Sequence, residues 1–215
     1  MNGKKINKKI KSIWKEFRGE KFTERKPLLF KDLKKNPDIL FVGINPGYSE
    51  ELSALNEKEL IRHDRNIQAE KKEDAYPYFR PFYDFTNNWE HIDLLFIRET
   101  NQNKVKKMVC CGKKIELNEF GIKQLDLFSD LLKIIKPKII IINNALASTI
   151  IKKEFNKNIY SEDFKEKGFD YFYLGKLKIP IFFTGMLSGQ RALDRGSKRR
   201  LIWQANKALG RNGKC

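Results

Sequence analysis

Gly43-Ile44-Asn45-Pro46-Gly47 combines the residue types of a rigid, ligand-facing turn. Pro46 restricts Asn45 to extended backbone angles, so no helix begins there. Pro46-Gly47 suits a tight turn, and the glycines let backbone approach a ligand closely. Asn45 is thereby expected at a strand end with its amide facing the crevice. A plain strand-to-loop turn uses the same residues, so the motif draws its weight from its neighbours. Three further polar or glycine-rich runs stand after apolar stretches: Arg98–Asn103, Asn143-Asn144 and residues 184–191. Asn101 has the amide chemistry to donate to a carbonyl and accept from a ring N–H. Asn143 and Asn144 are alternatives for that task, or tie loops together.

These runs need elements to hold them. Ile39-Leu40-Phe41-Val42 is a short unbroken apolar run that reads as a buried parallel strand, as do Ile92–Ile97, Lys138–Ile142 and Ile179–Phe183. Apolar side chains at helical spacing mark helices at residues 6–17, 121–135 and 145–155; Pro137 stops the second. Residues 50–75 are polar and read as a helix or lid-like excursion, and Tyr171–Leu174 with Leu177 as a small β excursion. Ser197 is a candidate N-cap for a last helix carrying Leu201, Ile202, Ala205 and Leu209 inward. Strands alternating with helices predict parallel βαβ units and a three-layer α/β/α domain with a central four-stranded parallel sheet. Ligands of such sheets bind beyond the C-terminal strand ends, where all four runs converge.

The chain of 215 residues is long enough for one such domain, with residues 1–35 as a basic N-terminal helical extension. Its 44 Lys+Arg against 27 Asp+Glu give a net charge of +17, which fits a polyanionic partner; lysines spread over every surface give the same total. Three cysteines, two of them adjacent (Cys110, Cys111) and one at Cys215, argue against a disulfide scaffold, a zinc site or a four-cysteine cluster, and fit a reducing, cytoplasmic setting. No apolar run reaches membrane-span length, and no signal peptide is visible. His63 and His91 lie in no metal-ligand spacing and are expected at the surface. No metal or cofactor is indicated.

The segment Ile39–Tyr48 resembles the first motif of the uracil-DNA glycosylase superfamily, and is most similar to its mismatch-specific and single-strand-selective branches, where Asn holds the place of Asn45. The resemblance implies that Asn45 orients the water that attacks the sugar C1′, with Gly43, Ile44, Pro46 and Gly47 lining the base pocket. An amide carbonyl is no strong base but can aim a water, and cleavage through an oxocarbenium-like transition state depends on positioning more than on proton removal. The family follows this motif with an aromatic that stacks on the flipped base; Phe79 and Phe82, in the aromatic run Tyr76–Phe85, are the candidates, Phe79 first. The family's second motif, often His or Asn followed by Pro-Ser, corresponds to Gly185–Arg191. Ser188-Gly189 matches its Ser step, Met186 stands at its first position without a hydrogen-bonding group, and Gln190 and Arg191 are placed to enter or read the duplex. Asn101 or Asn143 would read the base.

Lys198, Arg199 and Arg200 sit in the expected first turn of the last helix, where cations oppose the macrodipole. An anion there would remove the conflict, so a DNA phosphate near Ser197–Arg200 is expected; a solvated basic turn is the alternative. The resemblance implies a monomeric, monofunctional DNA glycosylase acting without cofactor on single- or double-stranded DNA. A non-catalytic nucleic-acid-binding relative, motivated by Met186, and a small-molecule enzyme on the same scaffold are the rival readings.

Overall fold

A computed structural model describes residues 3–30, 32–112, 115–161 and 168–211; Cys215 lies outside them. These residues group into two compact units. One comprises Met1–Leu33, Ile44–Ile67 and Asp93–Ile134, the other Lys34–Gly43, Gln68–Ile92 and Ile135–Cys215. The protein is of the α/β class. Among the described residues there are seven α-helices and one six-stranded, mostly parallel sheet.

The first unit is helical. Helix α1 (Gly3–Glu16) buries Ile6, Ile10 and Trp14. Asn7, on the same face, donates to and accepts from the backbone of Phe30. The basic N-terminal helix thus buries one face in the core of this unit. Trp14, Phe17 and Phe22 surround the ring of Phe120, with centroids at 5.3, 5.1 and 4.5 Å. Phe120 begins helix α5 (Glu119–Ile135), which also buries Phe128, Leu131 and Leu132. The polar stretch after residue 50 forms two helices, α2 (Glu50–Ala54) and α3 (Glu57–Asn66), the latter opened by a capping box between Asn56 and Glu59. Helix α4 (Gln102–Val109) completes the unit.

The second unit is built on the sheet, in the order β2-β1-β3-β6-β5-β4. Strands β1 (Ile39–Gly43), β3 (Ile139–Ile142) and β6 (Leu177–Phe183) are parallel, with Val42 opposite Ile142 and Ile142 opposite Phe183. Strand β2 (Trp89–Asp93) lies beside β1. The N–H of Asp38 donates to Asn88 just before both strands, and that of Leu95 to Ile44 just after them. Strands β4 (Ile159–Tyr160) and β5 (Asp170–Leu174) extend the sheet antiparallel, which makes six strands where the sequence suggested four. The β5–β6 hairpin closes at Gly175, whose φ of +60° suits a two-residue turn. Helices α6 (Ala145–Glu154) and α7 (Arg195–Ala208) follow β3 and β6.

Strand β2 begins three residues before the expected Ile92 and stops at Asp93 instead of Ile97. Its residues Glu90, His91 and Asp93 are polar yet buried, while Leu94–Ile97 are fully buried without extending the strand. Hydropathy reported burial there, not ladder pairing. At the opposite sheet edge, the entry to β1 is clasped by Asp38, which pairs with Lys138 and Arg211. Burial alone would raise its carboxyl, but these two cations outweigh it and hold the pKa below the usual carboxylate range.

Candidate functional site

Beyond Gly43 the chain enters the turn singled out in the sequence. The amide nitrogen of Asn45 donates to three backbone carbonyls, of Glu99 at 2.6 Å, Pro46 at 3.0 Å and Ile97 at 3.2 Å. That fixes the amide's orientation, because reversing it would aim its oxygen at three other oxygens. Asn45 Oδ1 makes no hydrogen bond among the described residues, and Asn45 is only half-buried. The turn is riveted to the 97–101 segment by further bonds. Glu99 N–H donates to Pro46 O, Leu95 N–H to Ile44 O, and Thr100 Oγ1 bonds both the N–H and the carbonyl of Tyr48.

The rivet itself is braced by residues that sequence reasoning missed. The Glu99 carboxylate accepts from Arg25 at 2.7 Å and from the N–H of Asn101 at 2.9 Å. Burial works to raise its pKa, and these donors outweigh burial and lower it. Arg25 also donates to Arg98 O, and its guanidinium lies 4.0 Å from the ring centre of Tyr48. Arg98 is buried and pairs with Asp64. Burial pushes the neighbouring Asp93 carboxyl up to about 7, against the pull of Arg98 and with added repulsion from Asp64.

In the second unit, parallel register brings Gly43, Asn143 and Thr184 to one sheet edge. Asn143 N–H donates to Val42 O, and Thr184 N–H to Ile142 O. The Asn143 side chain is 1% exposed. Its Nδ2 donates to the hydroxyl of Tyr78 at 3.1 Å, while its Oδ1 is buried with no partner among the described residues. A buried orphan acceptor at the C-terminal end of a central strand is costly unless a ligand satisfies it.

Several expected site residues have other duties. Asn101 is the N-cap of α4, its Oδ1 accepting from the N–H groups of Asn103 and Lys104, and Asn144 caps α6 in the same manner. Phe82 is fully buried and stacks on Phe41 of β1 at 4.0 Å, and Phe79 is 5% exposed and stacks on Trp89. Both are core aromatics instead of base-stacking ones. Their spacing of three residues in a 3₁₀ turn directs both inward. Tyr78, half-buried and bonded to Asn143, is the aromatic of that run that reaches the strand end. His91, expected at the surface, is buried, and burial lowers its pKa to about 3, so it stays neutral. His63 is partly exposed.

The 184–191 run forms a closed loop. Met186 bridges Ala192, Leu193 N–H donates to Met186 O, and Leu187 is buried as an anchor. Gly189, at φ +83°, makes the sharp bend, and Gln190 and Arg191 are exposed at its tip. Ser188 is half-buried below them. Asp194, rather than Ser197, caps α7, accepting from both the N–H and the hydroxyl of Ser197. The helix end is therefore already occupied by a carboxylate where a phosphate was expected. Lys198 is neutralised by Asp84, which also binds Lys72. Arg199 and Arg200 remain exposed in the second turn.

Among the described residues no group of three or more His, Cys, Asp or Glu is arranged to hold a metal ion, and no helix is long and apolar enough to cross a membrane. No protein-family model matches this chain, and no curated protein matches it in sequence.

Proposed function

We propose that this protein is a monofunctional DNA glycosylase of the uracil-DNA glycosylase type, with the three-layer scaffold of that superfamily. It flips a damaged base from DNA and hydrolyses its N-glycosidic bond without a cofactor. The observation that carries the proposal is Asn45: its amide nitrogen is held by three backbone carbonyls and its carbonyl is left to accept from a water. Such an amide aims a water at the sugar carbon while the base departs with the bond electrons. In the second unit, Asn143 taken by itself has the chemistry of a base-reading group. An amide donates to a base carbonyl and accepts from a ring N–H, the pattern on uracil's pairing edge.

Single-turnover excision on oligonucleotides carrying U·G, U·A, single-stranded U, hypoxanthine or xanthine tests the reading. Abasic product from at least one of them is expected. Asn143→Ala is expected to slow its formation about tenfold to a thousandfold, since a lost edge contact leaves a base group unpaired. No product on any substrate at enzyme excess sinks catalysis.

Binding without excision is the second reading, favoured by Met186, which offers no donor to the departing base anion. A small-molecule enzyme would show no salt-dependent affinity for DNA, whereas phosphate contacts weaken as salt rises.

Gly47 gives an independent check. A Cβ there would meet nothing within 4 Å, and its φ is ordinary for any residue. Gly47→Ala is expected to leave the Tm within about 1 °C, because nothing in the fold needs glycine there. It should nonetheless weaken binding of the damaged oligonucleotide severalfold if the turn approaches the sugar closely. Equal affinities would mean that nothing docks over the turn.

A further inference from the structure

We propose that the outward face of α7 is a docking track for a single-stranded stretch of nucleic acid, with phosphates on Arg195, Arg199, Arg200 and Lys207 and an unpaired base stacked on Trp203. The inference does not depend on excision. Helix α7 spans Arg195–Ala208 and contains no acidic residue. It turns Leu201 and Ala205 inward, and after its first turn its exposed positions are Arg199, Arg200, Trp203 and Lys207. Trp203 is 45% exposed, in contrast to Trp14 and Trp89 at 8% each. Lys207 lies 5.4 Å from its ring centre.

Arg195, Arg199, Trp203 and Lys207 recur every four residues, about 6 Å of helix rise per step. Arg195, Arg199, Arg200 and Lys207 make no ion pair among the described residues, whereas Lys198 on the inner side is neutralised by Asp84. The outward charge is thus uncompensated, and one large aromatic stands within it. An unpaired strand supplies both complements, since every nucleotide brings a phosphate and a stacking face. A duplex offers phosphates without a free base face. A membrane-surface helix needs an apolar stripe facing outward, and here the aliphatic side chains face the core.

The test is equilibrium binding of an undamaged oligothymidylate, followed by tryptophan fluorescence and by anisotropy. Because Trp14 and Trp89 are buried, quenching on binding reports Trp203, and it should vanish in Trp203→Ala. That variant is expected to raise the Kd roughly fivefold to a hundredfold for the oligonucleotide and to leave heparin binding unchanged. Trp203→Phe should restore most of the affinity. Arg199→Gln and Arg200→Gln should each lower the salt slope by about 0.7, with the Tm of every variant checking the fold. An unchanged oligonucleotide Kd in Trp203→Ala overturns the proposal, as does an equal loss for heparin, which marks a bare polyanion surface. Trp203-dependent binding to phosphatidylserine vesicles without oligonucleotide binding overturns it in favour of a membrane. Undamaged DNA as the probe keeps this outcome separate from the fate of the excision reading.

Discussion

Asn45→Ala is expected to lower single-turnover excision by about a hundredfold to a thousandfold, the scale set by removing one positioned polar group from a reacting centre. Binding of the damaged oligonucleotide should change little, because the lost contact is to the attacking water and not to the DNA. The variant also frees the carbonyls of Pro46, Ile97 and Glu99, so a modest fall in Tm accompanies it. Asn45→Asp separates the two effects. It retains an oxygen able to accept from water, but sets carboxylate oxygens against those same three carbonyls. Its Tm should therefore fall further than that of the alanine variant. Full excision activity in Asn45→Ala would remove Asn45 from the mechanism.

The second large effect is on stability against pH. Asp93 in the folded protein titrates at about 7 against a reference of 3.8, chiefly because it is buried. Between roughly pH 4 and 7 the folded state thus holds a proton that the unfolded chain has released. Stability falls as pH rises through that window and levels off above it. His91 does the reverse, with a folded pKa of about 3 against 6.5. The unfolded chain there holds the extra proton between about pH 3 and 6.5, and stability rises with pH across that range. Where the windows overlap the two slopes cancel. Asp93→Asn should therefore unmask a rising slope below pH 6.5 and stabilise the protein at pH 8 by on the order of 4 kcal/mol, at about 1.4 kcal/mol per unit of pKa shift. His91→Gln should unmask the falling slope of Asp93. Urea midpoints from pH 4 to 8 measure both. Profiles identical to the parent in both variants would mean that neither group is buried in its neutral form.

The sequence was most legible where one property decided the outcome. The isoleucine run of β3 and the helical spacing of α5 allow no other reading, and both form as expected. Strand β2 was started too late because Trp89-Glu90-His91 reads as surface; Glu90 is buried because its carboxylate accepts from the N–H of Lys34 and from that of His91. Strand β5 falls on the Tyr171–Leu174 excursion read from the sequence, whereas β4 is only two residues long and no local pattern announces it. Four asparagines at strand ends look alike in sequence, yet their neighbours sort them. Asn101 and Asn144 stand immediately before helices and become caps. Asn143 is one position too early to cap, and Asn45 has no helix after it before Glu50, its amide being held by the carbonyls of Ile97 and Glu99. The same logic picks Asp194 over Ser197, since the cap lies three residues ahead of the N–H it satisfies. Tyr78 was hidden among six aromatics, three of them tyrosines, and no local signal separates it from the half-buried Tyr83, whose hydroxyl donates to the carbonyls of Gln68 and Ala69 instead.

Pro46 has a consequence for the chemical lifetime of the protein. Asparagine side chains age by deamidation, in which the backbone nitrogen of the following residue attacks the side-chain carbonyl and expels ammonia. Proline has no N–H to surrender, so the ring closure that begins this decay is blocked at Asn45. The residue that shapes the turn also preserves the amide on which the turn depends, over the whole time that a molecule of this protein persists in the cell.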